Sequence, residues 1–131
     1  MTRRELREQV FKMLFGVEFH DASEMPEQLA VYEETEEAWD VADGEYISKK
    51  CTDIVAHLAE IDTAINEVAE GWKTSRMGKV DLTLIGLAVV EMKYEEDVPV
   101  GVAINEAVEL AKKYGTDDSP AFVNGVLGKL A

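Results

Sequence analysis

Residues 80–95 read Val80-Asp81-Leu82-Thr83-Leu84-Ile85-Gly86-Leu87-Ala88-Val89-Val90-Glu91-Met92-Lys93-Tyr94-Glu95. Wound as a helix, this stretch puts apolar side chains on nearly every side: Val80, Leu82, Leu84, Ile85, Leu87, Val89, Val90 and Met92. A surface helix shows one apolar stripe and a polar back, whereas a helix that is apolar all round is buried on several sides. The stretch therefore predicts a central helix, about Val80 to Glu95, shared between packed layers.

The chain on either side is helical in its spacing too. Downstream, Asp97-Val98-Pro99 starts a helix that runs to Tyr114, with Val100, Ala103, Ile104, Ala107, Val108 and Ala111 as its stripe. Gly115 stands where a left-handed residue often ends a helix. Asp118-Ser119-Pro120 caps a last helix carrying Phe122, Val123, Val126, Leu127 and Leu130. Upstream, Asp62 caps a helix with Ile65, Val68 and Trp72. Another runs from about Glu45 to Ala59 and buries Ile47, Cys51, Ile54, Val55 and Leu58, after a break at Asp43-Gly44. Ser23 and Pro26 open a helix with Leu29, Tyr32 and Trp39. The first helix opens on Thr2-Arg3-Arg4-Glu5, the spacing of a capping box in which Thr2 and Glu5 bond reciprocally. Its stripe is Leu6, Val10, Met13, Leu14 and Val17. About seven helices and short linkers predict one all-α domain over residues 1–131, with no convincing strand and no repeat.

Composition sets limits on function. Close to half of the 131 residues are apolar, enough for a core at this length. No apolar run reaches the length of a membrane span, and the charged start at Thr2 to Gln9 is unlike a signal peptide. A single cysteine, Cys51, leaves no disulfide framework, and a cytoplasmic location is expected. The net charge of −14 argues at first against nucleic acid. Its distribution is uneven: residues 21–70 carry −13, residues 71–131 carry −2 and residues 1–20 carry +1. RNA binding by such a chain is expected to need a basic partner.

Catalysis finds no support in the pattern. His20 and His57 lack metal-ligand spacing. Cys51 lies on an apolar stripe, as structural thiols do. No glycine-rich phosphate loop or nucleophile elbow appears. No enzyme activity, metal or cofactor is expected. The first helix points elsewhere. Arg3, Arg4 and Arg7 lie in its first two turns, at the positive end of the macrodipole, where cations are disfavoured by roughly 0.3–1 kcal/mol each. Arg4, Arg7, Phe11 and Phe15 share one side of the wheel. Arginine interleaved with aromatics suits single-stranded RNA, through phosphate contacts and stacking. The competing reading is that Phe11 and Phe15 belong to a core that clamps the helix on two sides.

The last third is the most specific. It runs Pro99-Val100-Gly101-Val102-Ala103-Ile104-Asn105-Glu106-Ala107-Val108-Glu109-Leu110-Ala111-Lys112-Lys113-Tyr114-Gly115, then Asp118-Ser119, then Phe122-Val123-Asn124-Gly125-Val126-Leu127. This block resembles the C-terminal block of the NusB family of bacterial transcription antitermination factors. The basic start through Arg7-Glu8, then Leu14-Phe15, is similar to that family, as is Val80-Asp81 leading to Leu87-Ala88 and Glu91. The resemblance covers the whole chain and is weakest over 21–70.

The resemblance implies an all-helical fold of two packed three-helix bundles. It implies binding of boxA RNA together with a ribosomal protein, NusE, in an elongation complex with RNA polymerase, notably on ribosomal RNA operons. It places Arg3, Arg4, Arg7, Phe15, Asp118, Phe122 and the neighbouring Lys129 at RNA, and Arg76 and Asp81 at the NusE partner. Phe15 stands at a family position that is often tyrosine. Asp118 has a helix cap as its structural reading, and Gly125 is read as permitting close helix approach. Leu82 and Gly86 stand where the family commonly has basic residues, and Val90 where it often has tyrosine. Two alternatives stay open. One is an accessory domain like that of ribosomal RNA cytosine methyltransferases, which continue into an α/β domain where this chain ends at 131. The other is a homodimer that covers its RNA face.

Overall fold

A computed structural model describes residues 2–17, 40–68, 78–95 and 97–131. Six α-helices lie among them: α1 (Arg3–Val17), α2 (Val41–Ala56), α3 (Leu58–Val68), α4 (Lys79–Tyr94), α5 (Val100–Tyr114) and α6 (Ser119–Leu130). No strand occurs among the described residues, so the all-α expectation holds. The helix expected from Ser23 and Pro26, with Leu29, Tyr32 and Trp39, lies outside the described residues, as do His20, Trp72 and Arg76. The chain forms two compact units, Met1–Ala56 and His57–Ala131.

In the first unit α1 packs on α2. Val10, Phe11, Met13 and Leu14 are buried from α1, and Ile47, Cys51 and Ile54 from α2. The Cys51 thiol points at the Val10 carbonyl oxygen, 4.0 Å away. Burial pushes its pKa up to about 12, so it is a protonated packing group rather than a thiolate. Asp43-Gly44 does not break the chain. Helix α2 already begins at Val41, because Asp40 caps it: the Asp43 N–H donates to Asp40 Oδ1 at 2.8 Å and the Gly44 N–H to Asp40 O at 3.0 Å.

The second unit is built around α4, which packs against α3, α5 and α6. Every residue from Thr83 to Glu91 is buried. Leu84 and Ile85 are fully so, and burial of each such side chain is worth about 1.5–3 kcal/mol. The Thr83 hydroxyl donates to the Lys79 carbonyl at 2.6 Å, which keeps a polar group satisfied inside this helix. The central helix read from the sequence is therefore present, from Lys79 to Tyr94.

Several local readings need correction. Asp62 is no cap: it lies inside α3, which begins at Leu58 with only His57 between it and the end of α2, and the Ile61 N–H is bonded to the His57 carbonyl. Val100 is 41% exposed, and Leu110 takes a core place on the α5 stripe instead. Gly115 is not left-handed but extended, at φ −92° and ψ −166°. Gly125 is exposed, and a Cβ there would meet nothing within 4 Å, so no described helix packs closely on it.

Candidate nucleic-acid interface

The start of α1 is closed by the expected capping box. The Glu5 N–H donates to Thr2 Oγ1 at 3.1 Å, and the Thr2 N–H donates to Glu5 Oε1 at 3.2 Å. The Thr2 backbone N–H, and after it the Thr2 hydroxyl, hold the Glu5 carboxyl below the usual carboxylate range. Two of the N–H groups at this helix end are thus already bonded within the protein. What this end presents is the exposed pair Arg3 and Arg4.

Arg7 differs from them, being 7% exposed. Phe11 is buried at 3% exposed, and the half-buried Phe15 ring sits 5.9 Å from it, centroid to centroid, tilted by 34°. The side of α1 read as one RNA face is in fact split. Arg4 is open, whereas Arg7 and Phe11 belong to packing, and Phe15 lies at the edge. The reading in which the helix is clamped on two sides is the one the structure supports for Phe11.

The second group of candidates lies on α6. Asp118 sits at the N-cap position but has helical dihedrals, φ −86° and ψ −17°, and its side chain makes no capping hydrogen bond. It stands exposed just before Pro120 enters the first turn. Phe122 is half-buried one turn on, with its N–H bonded to the Asp118 carbonyl at 3.1 Å. Lys129, two turns further along, is exposed, and its Nζ lies 3.5 Å from the Val68 carbonyl at the C-terminus of α3. A cation is favoured there by the helix dipole. Arg3, Arg4, Arg7 and Phe15 thus share α1 in the first unit, and Asp118, Phe122 and Lys129 share the α6 region in the second.

Of the two expected partner contacts, Asp81 is described. It is half-buried in the first turn of α4, and its Oδ1 is buried with no hydrogen-bond partner among the described residues. Arg76 lies outside the described residues. Gly86 and Val90 are buried in the core of the second unit, and Leu82 is half-buried. The departures at 86 and 90 therefore bear on packing rather than on an exposed surface.

Sequence reading missed two features. One is the buried Lys50, 4% exposed, whose Nζ donates to the Tyr46 hydroxyl at 3.2 Å and sits 5.4 Å from that ring centroid. The spacing of four residues in a helix was the available signal. The other joins α3 to α4: Tyr94 donates to Glu60 Oε2 at 2.8 Å and meets the His57 ring edge-on at 4.3 Å. Nothing in local sequence marks a contact 34 residues apart. Among the described residues, no group of three or more His, Cys, Asp and Glu side chains is placed to hold a metal ion. No helix there is long and apolar enough to cross a membrane.

Comparison with known proteins supplies what the geometry leaves open. The model of the NusB family matches residues 4–131. The transcription antitermination protein NusB of Agathobacter rectalis is 58% identical over the whole of both chains. That of Lachnoclostridium phytofermentans is 49% identical over 99% of this chain and 98% of its own. Among solved structures, T. maritima NusB superposes with a TM-score of 0.87 at 36% identity, covering 100% of this chain and 91% of that one. A crystal structure of the antitermination factors NusB and NusE in complex with dsRNA matches with a TM-score of 0.83 at 26% identity, over 98% of this chain and 96% of that one. Fold and likeness together define an all-α transcription antitermination factor. The chain belongs to the NusB family.

Proposed function

We propose that this chain binds boxA-like single-stranded RNA jointly with the ribosomal protein NusE, and so supports antitermination by RNA polymerase in the cytoplasm, notably on ribosomal RNA operons. Its activity is binding, with no bond made or broken. The observation that carries the reading is the likeness of nearly the whole chain to a NusB solved with NusE and dsRNA.

The residues of this chain fit roles in that assembly. Arg3 and Arg4 are exposed on a capped helix start and offer guanidinium groups to phosphate. Phe15 and Phe122 are half-buried rings with area left for a base to stack on. Asp118 offers an exposed carboxylate to base amino groups. Arg7 supports the helix from within, and Lys129 adds charge beside the end of α3. Asp81, with a buried oxygen that no donor among the described residues reaches, is suited to accept a hydrogen bond from NusE, with Arg76 as a second contact. The net charge of −14 opposes RNA at long range, so the basic partner supplies attraction that this chain lacks.

A gel shift with boxA-like RNA tests this. Weak binding by the chain alone and much tighter binding after NusE is added are expected. RNA affinity that stays the same with and without NusE at moderate salt would contradict joint recognition.

A further inference from the structure

The turn from α5 to α6 is held by a side chain that fills the space of a missing one. The extended backbone of Gly115 suits any residue, but the space around it does not. A Cβ at 115 would lie 2.5 Å from Ser119 Cβ and Oγ and 2.8 Å from the Ala111 carbonyl oxygen. Ser119 occupies that space and is 3% exposed. Its Oγ accepts the Thr116 N–H at 3.0 Å and lies 3.3 Å from Thr116 Oγ1. In return the Ser119 N–H donates to the Thr116 carbonyl at 3.1 Å. Thr116 and Ser119 therefore clasp each other through both backbone and side chain.

Between the two clasping residues stand Asp117 and Asp118, both exposed. No capping hydrogen bond orients the Asp118 side chain, and the backbone that the clasp holds sets the position and the Cα–Cβ direction from which its carboxylate reaches out. The Asp118 carbonyl in turn accepts the Phe122 N–H, which ties the turn carrying the Phe122 ring to the same frame. A binding group needs its support held to within about 0.5 Å, and buried hydrogen-bonded neighbours provide that.

We propose that Ser119, seated in the room left by Gly115, is a positioning residue for RNA recognition that acts through Asp118. The inference rests on the reading that this end of α6 meets RNA. A role confined to stability would lower affinity independently of Asp118, whereas a positioning role vanishes once the positioned group is gone.

The test is a double-mutant cycle on the full chain with NusE present, read by fluorescence anisotropy of labelled boxA-like RNA. Asp118→Ala is expected to change affinity about fivefold, and Ser119→Ala to reproduce most of that change. In the double variant Ser119→Ala should add nothing further. Gly115→Ala provides a second arm, because it displaces Ser119 while keeping the hydroxyl. Its effect should also disappear when residue 118 is alanine. Circular dichroism checks that each variant is folded. If both substitutions act undiminished in the Asp118→Ala background, positioning is overturned and the RNA site stands. If Asp118→Ala and Phe122→Ala both leave RNA affinity unchanged, the RNA reading of this face falls, and the inference with it.

Discussion

At the scale of single residues, two glycines look alike in sequence and behave oppositely. Gly86 lies inside the buried run of α4, where helix propensity alone makes glycine cost up to about 1 kcal/mol against alanine. A Cβ there would meet Ile61 Cγ2 at 3.8 Å, an ordinary van der Waals distance. Gly86→Ala is therefore expected to stabilise the chain by up to about 1 kcal/mol, since nothing must move to admit the methyl group. Gly115 has the opposite constraint, with contacts of 2.5–2.8 Å awaiting a Cβ and a buried Ser119 that has little room to yield. Gly115→Ala should destabilise by about 1–3 kcal/mol, the usual cost of overpacking. Urea unfolding midpoints check both, and shifts of the same sign would refute this account. Neither outcome is legible in the sequence. The reading of Gly115 as a left-handed stop assigned its need to backbone dihedrals, but the need comes from a side chain four residues away.

Helix by helix, legibility follows how local the cause is. The capping box of α1 depends on Thr2 and Glu5 alone, three residues apart, and it stands as read. The buried run of α4 was legible because its apolar side chains leave no polar face. The start of α2 was misread because Asp43-Gly44 resembles a turn, while Asp40, three residues earlier, satisfies the helix end. The burial of Arg7 and Phe11 was illegible for another reason. A wheel gives directions around α1 but not how many of them are packed. The cap makes its own prediction. Because the folded state holds Glu5 below the ordinary carboxylate value, its contribution is present above that value and is lost as pH falls through the depressed one. Acidification through that range should release the Thr2 N–H and fray the first turn. Thr2→Ala should expose the Glu5 N–H at neutral pH as well, through loss of the hydroxyl acceptor. Amide exchange by NMR reads both, and an equally protected Glu5 amide in the variant and the parent would contradict the cap's role.

For the whole molecule, the question is how so acidic a chain engages RNA. The charge of −14 is dominated by residues 21–70, and long-range attraction to a polyanion is absent. Affinity must then come from short-range contacts, which makes the number of phosphate contacts the quantity to measure. Each contact with a single strand lowers the slope of log affinity against log salt by about 0.7 when removed. Arg4 and Arg7 should separate in this experiment. Arg4 is exposed, and Arg4→Ala is expected to reduce the slope by about 0.7 with little change in stability. Arg7 is buried, so Arg7→Ala should lower the unfolding midpoint while leaving the slope unchanged. The charge deleted is the same in both variants, so any effect of net charge alone would move both slopes together. Parallel slopes for Arg4→Ala and the parent, measured with NusE present from low to moderate salt, would remove the start of α1 from the phosphate contacts. A reduced slope in Arg7→Ala would instead require this guanidinium to leave its buried position on binding.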